Sequence, residues 1–290
     1  MKLAILGPEE RTYSELRLLK EGKRVFERVT YFPLSRILVS MGKEMEITYR
    51  GKNLLDYDAV LPRIPGSYMR FGMLVLEMLR GSEVALPIDP RAVFFAHNKF
   101  ATLIALSFEN VPVPLTYLSL RRSALENLLN EIKYPVVMKV AYGCKGKGVM
   151  FADSRESALS VADTLESFRQ PIFVEEYVKN PGEDVRAFVI GNDVFAAMKR
   201  IAKPGERRAN VSIGGRGEAY EIGEEERKIA CKAARALGMG IAGVDLLGSG
   251  RKTYVIEVNV YPGLKGIEAA TGKNVAEGIV KYVKSLCEEK

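Results

Sequence analysis

The sequence predicts an α/β (α+β) protein of three units, and three observations carry that prediction. Strand-like and helix-like patterns alternate from residue 2 onward, as they do where helices pack on sheets. The alternation stops at the turn "LPIDP" (86–90) and then restarts. The 290 residues suffice for two or three subdomains with a sizeable core. Boundaries are expected near residues 92 and 170, giving units 1–92, 93–170 and 171–290.

The first unit opens with a strand over 2–7 and a helix over 13–28. "DAVLPRI" (58–64) reads as a strand and "FGMLVLEMLRG" (71–81) as a helix stopped by its glycine. The second unit begins with a helix at about 98–109. "VPVPLTYL" (111–118) gives a strand, "SALENLLNEI" (123–132) a helix, and "YPVVMKVAYG" (134–143) and "GVMFA" (148–152) two strands. A helix follows over 155–168. The third unit starts with "PIFVEEYV" (171–178). Then come a strand pair in "VRAFVIGNDVFAAMKRI" (185–201), a helix over 224–237, and two strands around a Gly-Ser-Gly turn in 241–263. A last helix covers 274–287.

Composition narrows the function. A 47% apolar, 27% charged chain is ordinary for a globular protein. No apolar run is long enough to span a membrane. "MKLAILGPEE" reads as a strand and lacks the cleavage site of a signal peptide. Cys144, Cys231 and Cys287 are far apart and odd in number, as in a reduced, cytoplasmic protein. The net charge of +7 suits an anionic partner. Its Lys and Arg residues are scattered without a basic block, so nucleic acid is not expected. The single histidine, His97, argues against histidine metal sites and Ser-His or Cys-His nucleophiles. Catalysis would rest on carboxylates, Lys, Arg and backbone amides.

Four stretches carry candidate chemistry. In "VVMKVAYGCKGKGVMF" (136–151) a strand bearing Lys139 enters a loop with Gly143, Gly146 and Gly148. Such a loop can cradle phosphate oxygens, or be a plain turn with solvated lysines. It leads to a strand, so it is neither a Walker loop nor a Rossmann turn. In 241–263, Asp245 lies on a strand that turns back to Glu257 and Asn259. Glu257 and Asn259 alternate with Ile256, Val258 and Val260, and therefore share one face. Oxygen ligands on an otherwise apolar hairpin suit Mg²⁺, whose remaining positions go to water and phosphate; the alternative is solvent-facing turn residues at Asp245 and Asn259 with a surface salt bridge at Glu257. "FVEEYVKNPGEDVRAFVIG" (173–191) places Glu175, Glu176 and Asp184 around a Pro-Gly turn, as site residues or as surface acids. "AMKRIAKPGERRANVSIGG" (197–215) gathers Lys199, Arg200, Arg207, Arg208 and Asn210, either as a solvated basic loop or as an anchor for an anion.

The order of these signals resembles the ATP-grasp carboxylate–amine ligases, and within them the RimK-like glutamate ligases. The resemblance covers essentially the whole chain. Its sharpest parts are "EEYVKNPGEDVRAFVIG", "AGVDLL" and "IEVNVYPGLKGIE". It implies an N-terminal α/β domain and two α+β subdomains that clasp ATP. Lys99 and Lys139 resemble the two nucleotide-binding lysines, with Lys139 on the phosphates under a 143–148 flap. Glu176, Tyr177 and Val178 resemble the hinge that holds adenine, Asp184 the ribose contact, and Arg208, Ala209 and Asn210 a further nucleotide-side segment. Asp245, Glu257 and Asn259 resemble the ligands of two Mg²⁺ (or Mn²⁺) ions. Arg200 is expected at the transferring phosphoryl group or the acyl phosphate, and Arg186 on a substrate carboxylate. Substitution of either arginine is expected to cost activity far more than fold.

The implied partners are ATP, L-glutamate and an anionic acceptor, with a homodimer or homotetramer as the assembly common in such proteins. Ser212 and Ile213 stand where members that modify ribosomal proteins carry a His-Arg pair. That departure points to a small acceptor such as a pterin or deazaflavin cofactor. The alternative is a protein terminus, on a ribosomal protein or an amino-group carrier protein, and after it a non-catalytic nucleotide-binding module.

Overall fold

The computed structural model describes residues 1–140, 148–180, 182–203, 207, 215–249 and 252–289. β1 (Lys2–Gly7) is buried from Leu3 to Leu6, as a strand covered on both faces must be. Thr12 and Glu15 form a capping box that starts α1 (Tyr13–Val25). The helix ends three residues before the expected position, where Phe26 turns extended and releases the chain into β2 (Arg28–Pro33). β3 (Leu38–Ser40), β4 (Glu46–Tyr49) and β5 (Lys52–Asn53) make a small antiparallel sheet. β6 (Ala59–Pro62) pairs with β1, giving a parallel sheet of order β2-β1-β6. Helices α2 (Met69–Arg80), α3 (Arg91–His97) and α4 (Lys99–Phe108) follow.

The central residues form an antiparallel sheet. β7 (Thr116–Ser119) begins only after Pro112 and Pro114, which cannot donate to a ladder. α5 (Glu126–Glu131), β8 (Val136–Lys139), β9 (Val149–Ala152), α6 (Arg155–Ser167) and β10 (Ile172–Glu176) complete it, in the order β7-β10-β8-β9.

The third sheet contains β11 (Glu183–Ile190), β12 (Asp193–Ile201), β13 (Arg216–Ala219), β14 (Ile241–Ser249) and β15 (Lys252–Asn259), in the order β13-β12-β11-β14-β15. α7 (Glu224–Ala236), α8 (Leu264–Thr271) and α9 (Val275–Glu288) pack against it.

Two hydrophobic clusters run continuously from the N-terminal sheet into the C-terminal one. One joins Leu6 and Phe32 to Val244 and Val258, and the other joins Leu3 and Ile5 to Phe188 and Val283. The central sheet keeps a cluster of its own around Leu129, Met138, Ala162 and Val174. The N- and C-terminal parts thus share a core, and the central part stands against them with a cleft between. Among the described residues no helix is long and apolar enough to cross a membrane.

Candidate active site

The cleft encloses about 110 Å³. Val137, Val149, Phe151, Val178, Leu247 and Ile256 give it apolar walls, and Phe151 meets Tyr177 edge to face at 6.1 Å. Lys99, Lys139, Glu175, Asp184, Arg200, Asp245 and Glu257 line it as well. Apolar walls and clustered charges in one cleft suit a ligand that carries both an aromatic ring and anions.

Each charged residue is set by a local rule. The Asn98 side chain accepts from the Phe100 and Ala101 amides and starts α4, which puts Lys99 in its first turn. A cation there opposes the helix dipole, so helix stability does not account for it. Its ammonium lies 3.7 Å from Glu257 Oε1. Lys139 ends β8 with 8% exposure, and its Nζ donates to Glu175 Oε1 at 2.6 Å. Glu175 Oε2 is buried without a hydrogen-bond partner. Alternation along β10 turns Glu175 inward and Glu176 outward. Glu176 therefore offers only backbone here, and its N–H already donates to Leu115 O.

Asp245 is 1% exposed and held by two arginines. Arg186 grips it with Nε at 2.6 Å and Nη2 at 2.7 Å, and Arg200 Nη2 adds a third contact at 2.9 Å. Arg200, itself 3% exposed, holds Asp184 through Nε and through the same Nη2 that faces Asp245. Burial raises the Asp245 carboxyl, but the two guanidiniums outweigh it and keep the group below the ordinary carboxylate range. For Asp184, burial prevails and pushes the carboxyl up despite Arg200. Both arginines, expected on substrate, thus spend their hydrogen bonds on protein carboxylates, and Arg200 joins two of them.

Asp245 faces Glu257 directly across the β14–β15 pair, and Asn259 stands opposite Gly243. The register slips between Asp245 and Leu246, so Ile256 is an inserted bulge residue. The expected strict alternation would place Ile256 and Glu257 on opposite faces. The bulge lets both line the cleft. Asn259 Nδ2 donates to Gly243 O at 3.4 Å, which leaves its carbonyl oxygen to offer.

No cluster of three His, Cys, Asp or Glu residues suited to a metal occurs among the described residues. The set here is two carboxylates and an amide. It fits Mg²⁺, which needs only one or two carboxylates when phosphate and water complete its shell. Asp245 uses three of its roughly four lone-pair sites on arginines and keeps one.

Gly148 has φ +79° and closes the base of the glycine loop, its carbonyl accepting from Val140 N. Gly143, Gly146, Arg208, Ala209 and Asn210 lie outside the described residues. Arg207 lines the cleft, with its guanidinium 5.3 Å from the Phe151 ring centre. Glu175 and Val137 face each other across β10 and β8, where a period of two signals the inward side, whereas Val149, Phe151, Val178, Leu247 and Ile256 come from other parts of the chain and share no signal in the sequence.

The "GIE" of the last motif lies elsewhere. Glu268 binds Arg17 Nε at 3.0 Å, the Tyr13 hydroxyl at 2.8 Å and the Ala276 amide at 3.1 Å, clamping α1 to α8 and α9. Burial opposes its charge, but these donors outweigh burial and hold the carboxyl below its ordinary value. A carboxyl with a lower folded pKa stabilises fully above the unfolded value and loses that contribution as pH falls through the folded one. Glu268→Gln should therefore cost about 2 kcal/mol at neutral pH. It should also flatten the stability change between roughly pH 5 and 3. Urea titrations across that range read both, and an unchanged acid limb would exclude this role.

Comparison with known proteins places the chain among relatives of matching length. A family model described as the RimK-like ATP-grasp domain matches residues 96–283, and one described as the RimK PreATP-grasp domain matches 1–93. A protein of Pseudoalteromonas translucida (strain TAC 125) named "Probable alpha-L-glutamate ligase" is 38% identical, covering 100% of this chain and 97% of that one. The ATP-grasp ligase PsnB, solved with minimal precursor, Mg and ADP, superposes with a TM-score of 0.75 at 18% identity over 99% of this chain and 98% of that one. A RimK domain ATP-grasp protein from Sphaerobacter thermophilus DSM 20745 gives 0.74 at 17% identity over 97% and 99%.

Proposed function

The chain belongs to the RimK-like ATP-grasp family, and from that premise we propose that it is an ADP-forming carboxylate–amine ligase that adds L-glutamate to an anionic acceptor. The observation that carries this reading is the cleft: apolar walls and two lysines in one lining, with Asp245, Glu257 and Asn259 on one face of one strand pair. Residues 93–170 and 171–290 would close over ATP, with residues 1–92 beside them.

In this reading the adenine lies between Phe151, Tyr177 and Ile256, with Glu175 Oε2 available to a donor on its rim. Lys139 and Lys99 face the phosphates. Asp245, Glu257 and Asn259 would hold Mg²⁺, which when bound neutralises charge on the transferring phosphoryl group. An acceptor carboxylate attacks the γ-phosphorus and releases ADP, giving an acyl phosphate. The glutamate amine then attacks the acyl carbon and expels phosphate, leaving an amide. The protein supplies no nucleophile, which agrees with a chain that has one histidine, packed against Val93 O. Its contribution is position and charge. Arg186 and Arg200 act by holding Asp245 in place. The acceptor we favour is a small anionic cofactor of the pterin or deazaflavin kind.

The test is mass spectrometry of the chain with ATP, Mg²⁺, labelled glutamate and a panel of such acceptors. One ADP released per glutamyl unit gained is expected. ATP hydrolysis without amide, or label found only on a protein terminus, would overturn the favoured form.

A further inference from the structure

A second cleft, of about 470 Å³, opens in the N-terminal unit. It lies beyond the carboxyl ends of β1 and β2, where parallel sheets place their ligands. Arg11, Arg36, Arg50 and Lys52 line it, against one carboxylate, Glu9. Two of the arginines lean on aromatic walls: Arg11 lies 5.7 Å from the Tyr31 ring centre and Arg50 5.3 Å from that of Tyr49.

Three features mark it as built for carboxylates. Arg36 already holds one, from Glu9, and Ser35 Oγ adds a hydrogen bond at 3.1 Å to the same group. The cleft thus displays its chemistry on an internal stand-in, and guanidinium forks match carboxylates edge to edge. Arg50 occupies an awkward place: with φ +50°, beside Gly51 at +70°, it fills the first central position of the β4–β5 hairpin turn. Such turns favour Asn, Asp or Gly there, so an arginine is kept against local preference. The cleft is also linked by contacts to the end of β15. β6, on the other side of β1, leads into Arg63, whose Nη1 donates to Pro262 O at 3.0 Å. Pro262 follows Asn259 by three residues. Arg11 directly precedes Thr12, which binds Glu15, and Glu15 pairs with Arg63. Two strand spacings separate β2 from β6, roughly 10 Å.

We propose that this basic cleft grips a carboxylate-rich extension of the acceptor while the acceptor's reacting carboxyl lies at the end of β15. The proposal rests on the ligase reading and goes beyond it by assigning the acceptor a second contact site. Each transfer consumes one carboxylate and brings two, so the product carries one more negative charge. The cleft then holds product more tightly than substrate, which favours repeated addition.

The test uses fluorescein-labelled tetra-α-glutamate and the full chain, read by fluorescence anisotropy without nucleotide. Binding at low salt, weakened by added salt, is expected. The double variant Arg36→Gln/Arg50→Asn should lose at least tenfold in affinity, keep its affinity for Mg·ATP, and unfold no earlier, because Asn suits the turn better than Arg. Equal binding by the double variant, no binding by the unsubstituted chain, or equal competition by inorganic phosphate would each overturn the proposal. A chain that binds Mg·ATP but not the peptide defeats the cleft and spares the ligase reading. A chain that binds the peptide but not Mg·ATP does the reverse.

Discussion

Asp245→Asn is expected to cut ligase turnover about a thousandfold, the scale of losing a preorganised charge at a transferring group. The same change should cost about 3–5 kcal/mol of stability, because it leaves buried guanidiniums without their counter-charge. The two losses have one origin. Asp245 is the hub between Arg186 and Arg200, and Arg200 is in turn the partner of Asp184. An amide at this position presents N–H to a guanidinium that needs an acceptor. Glu257→Gln is the control. Its side chain is 30% exposed and faces Lys99 at 3.7 Å, so turnover should fall comparably while stability moves by less than about 1 kcal/mol. Urea denaturation and ADP release on both variants separate the roles. Asp245→Asn with unchanged stability would mean that the arginines do not depend on it.

Lys139→Met is the second large effect. The lysine side chain is 10% exposed and pairs with Glu175, which is 5% exposed and has no other side-chain partner. Removing the ammonium strands a buried carboxylate at a cost of about 3–5 kcal/mol. Nucleotide affinity should fall as well, since the phosphates lose a cation. The double variant Lys139→Met/Glu175→Leu distinguishes fold from function. Replacing a buried pair by apolar groups of similar volume is often neutral or stabilising. The double variant should therefore recover the midpoint of unfolding and stay without Mg·ATP binding, as calorimetry would read it. Recovery of binding together with stability would show that Lys139 acts only on the fold.

The arginines show where sequence reading stops. Substituting Arg200 looked costly to activity and mild for the fold. The structure gives it 3% exposure and two carboxylate partners, so its loss unbalances a buried network. A spacing along one strand reveals which residues share a face, but not that strands β11, β12 and β14 bring Asp184, Arg186, Arg200 and Asp245 into one cluster.

Long periodic stretches were legible. The strands at 2–7, 185–201 and 241–263 and the helices at 71–81 and 274–287 reappear within a few residues. What escaped was short or irregular. β3 to β5 are two to four residues long, too short for a period to register. α8 follows a Pro-Gly pair that reads as a turn and serves as the helix start. At the site, the shared face of Glu257 and Asn259 was legible because it depends on a period of two. The bulge at Ile256 was not, because a one-residue insertion leaves no mark in hydropathy.

That bulge sets how this hairpin tolerates change in length. Asp245 faces Glu257 and Leu246 faces Val255, so Ile256 is spare chain between two pairs that are already in register. Deleting it would leave both pairs in place on an unbroken ladder, with Val255 still on the core face, and would remove only the side chain that Ile256 gives to the cleft. The strand thus carries one residue of slack: a single loss at the bulge can be absorbed, whereas a further loss has no spare residue to draw on and would turn the residues N-terminal to it to the opposite face.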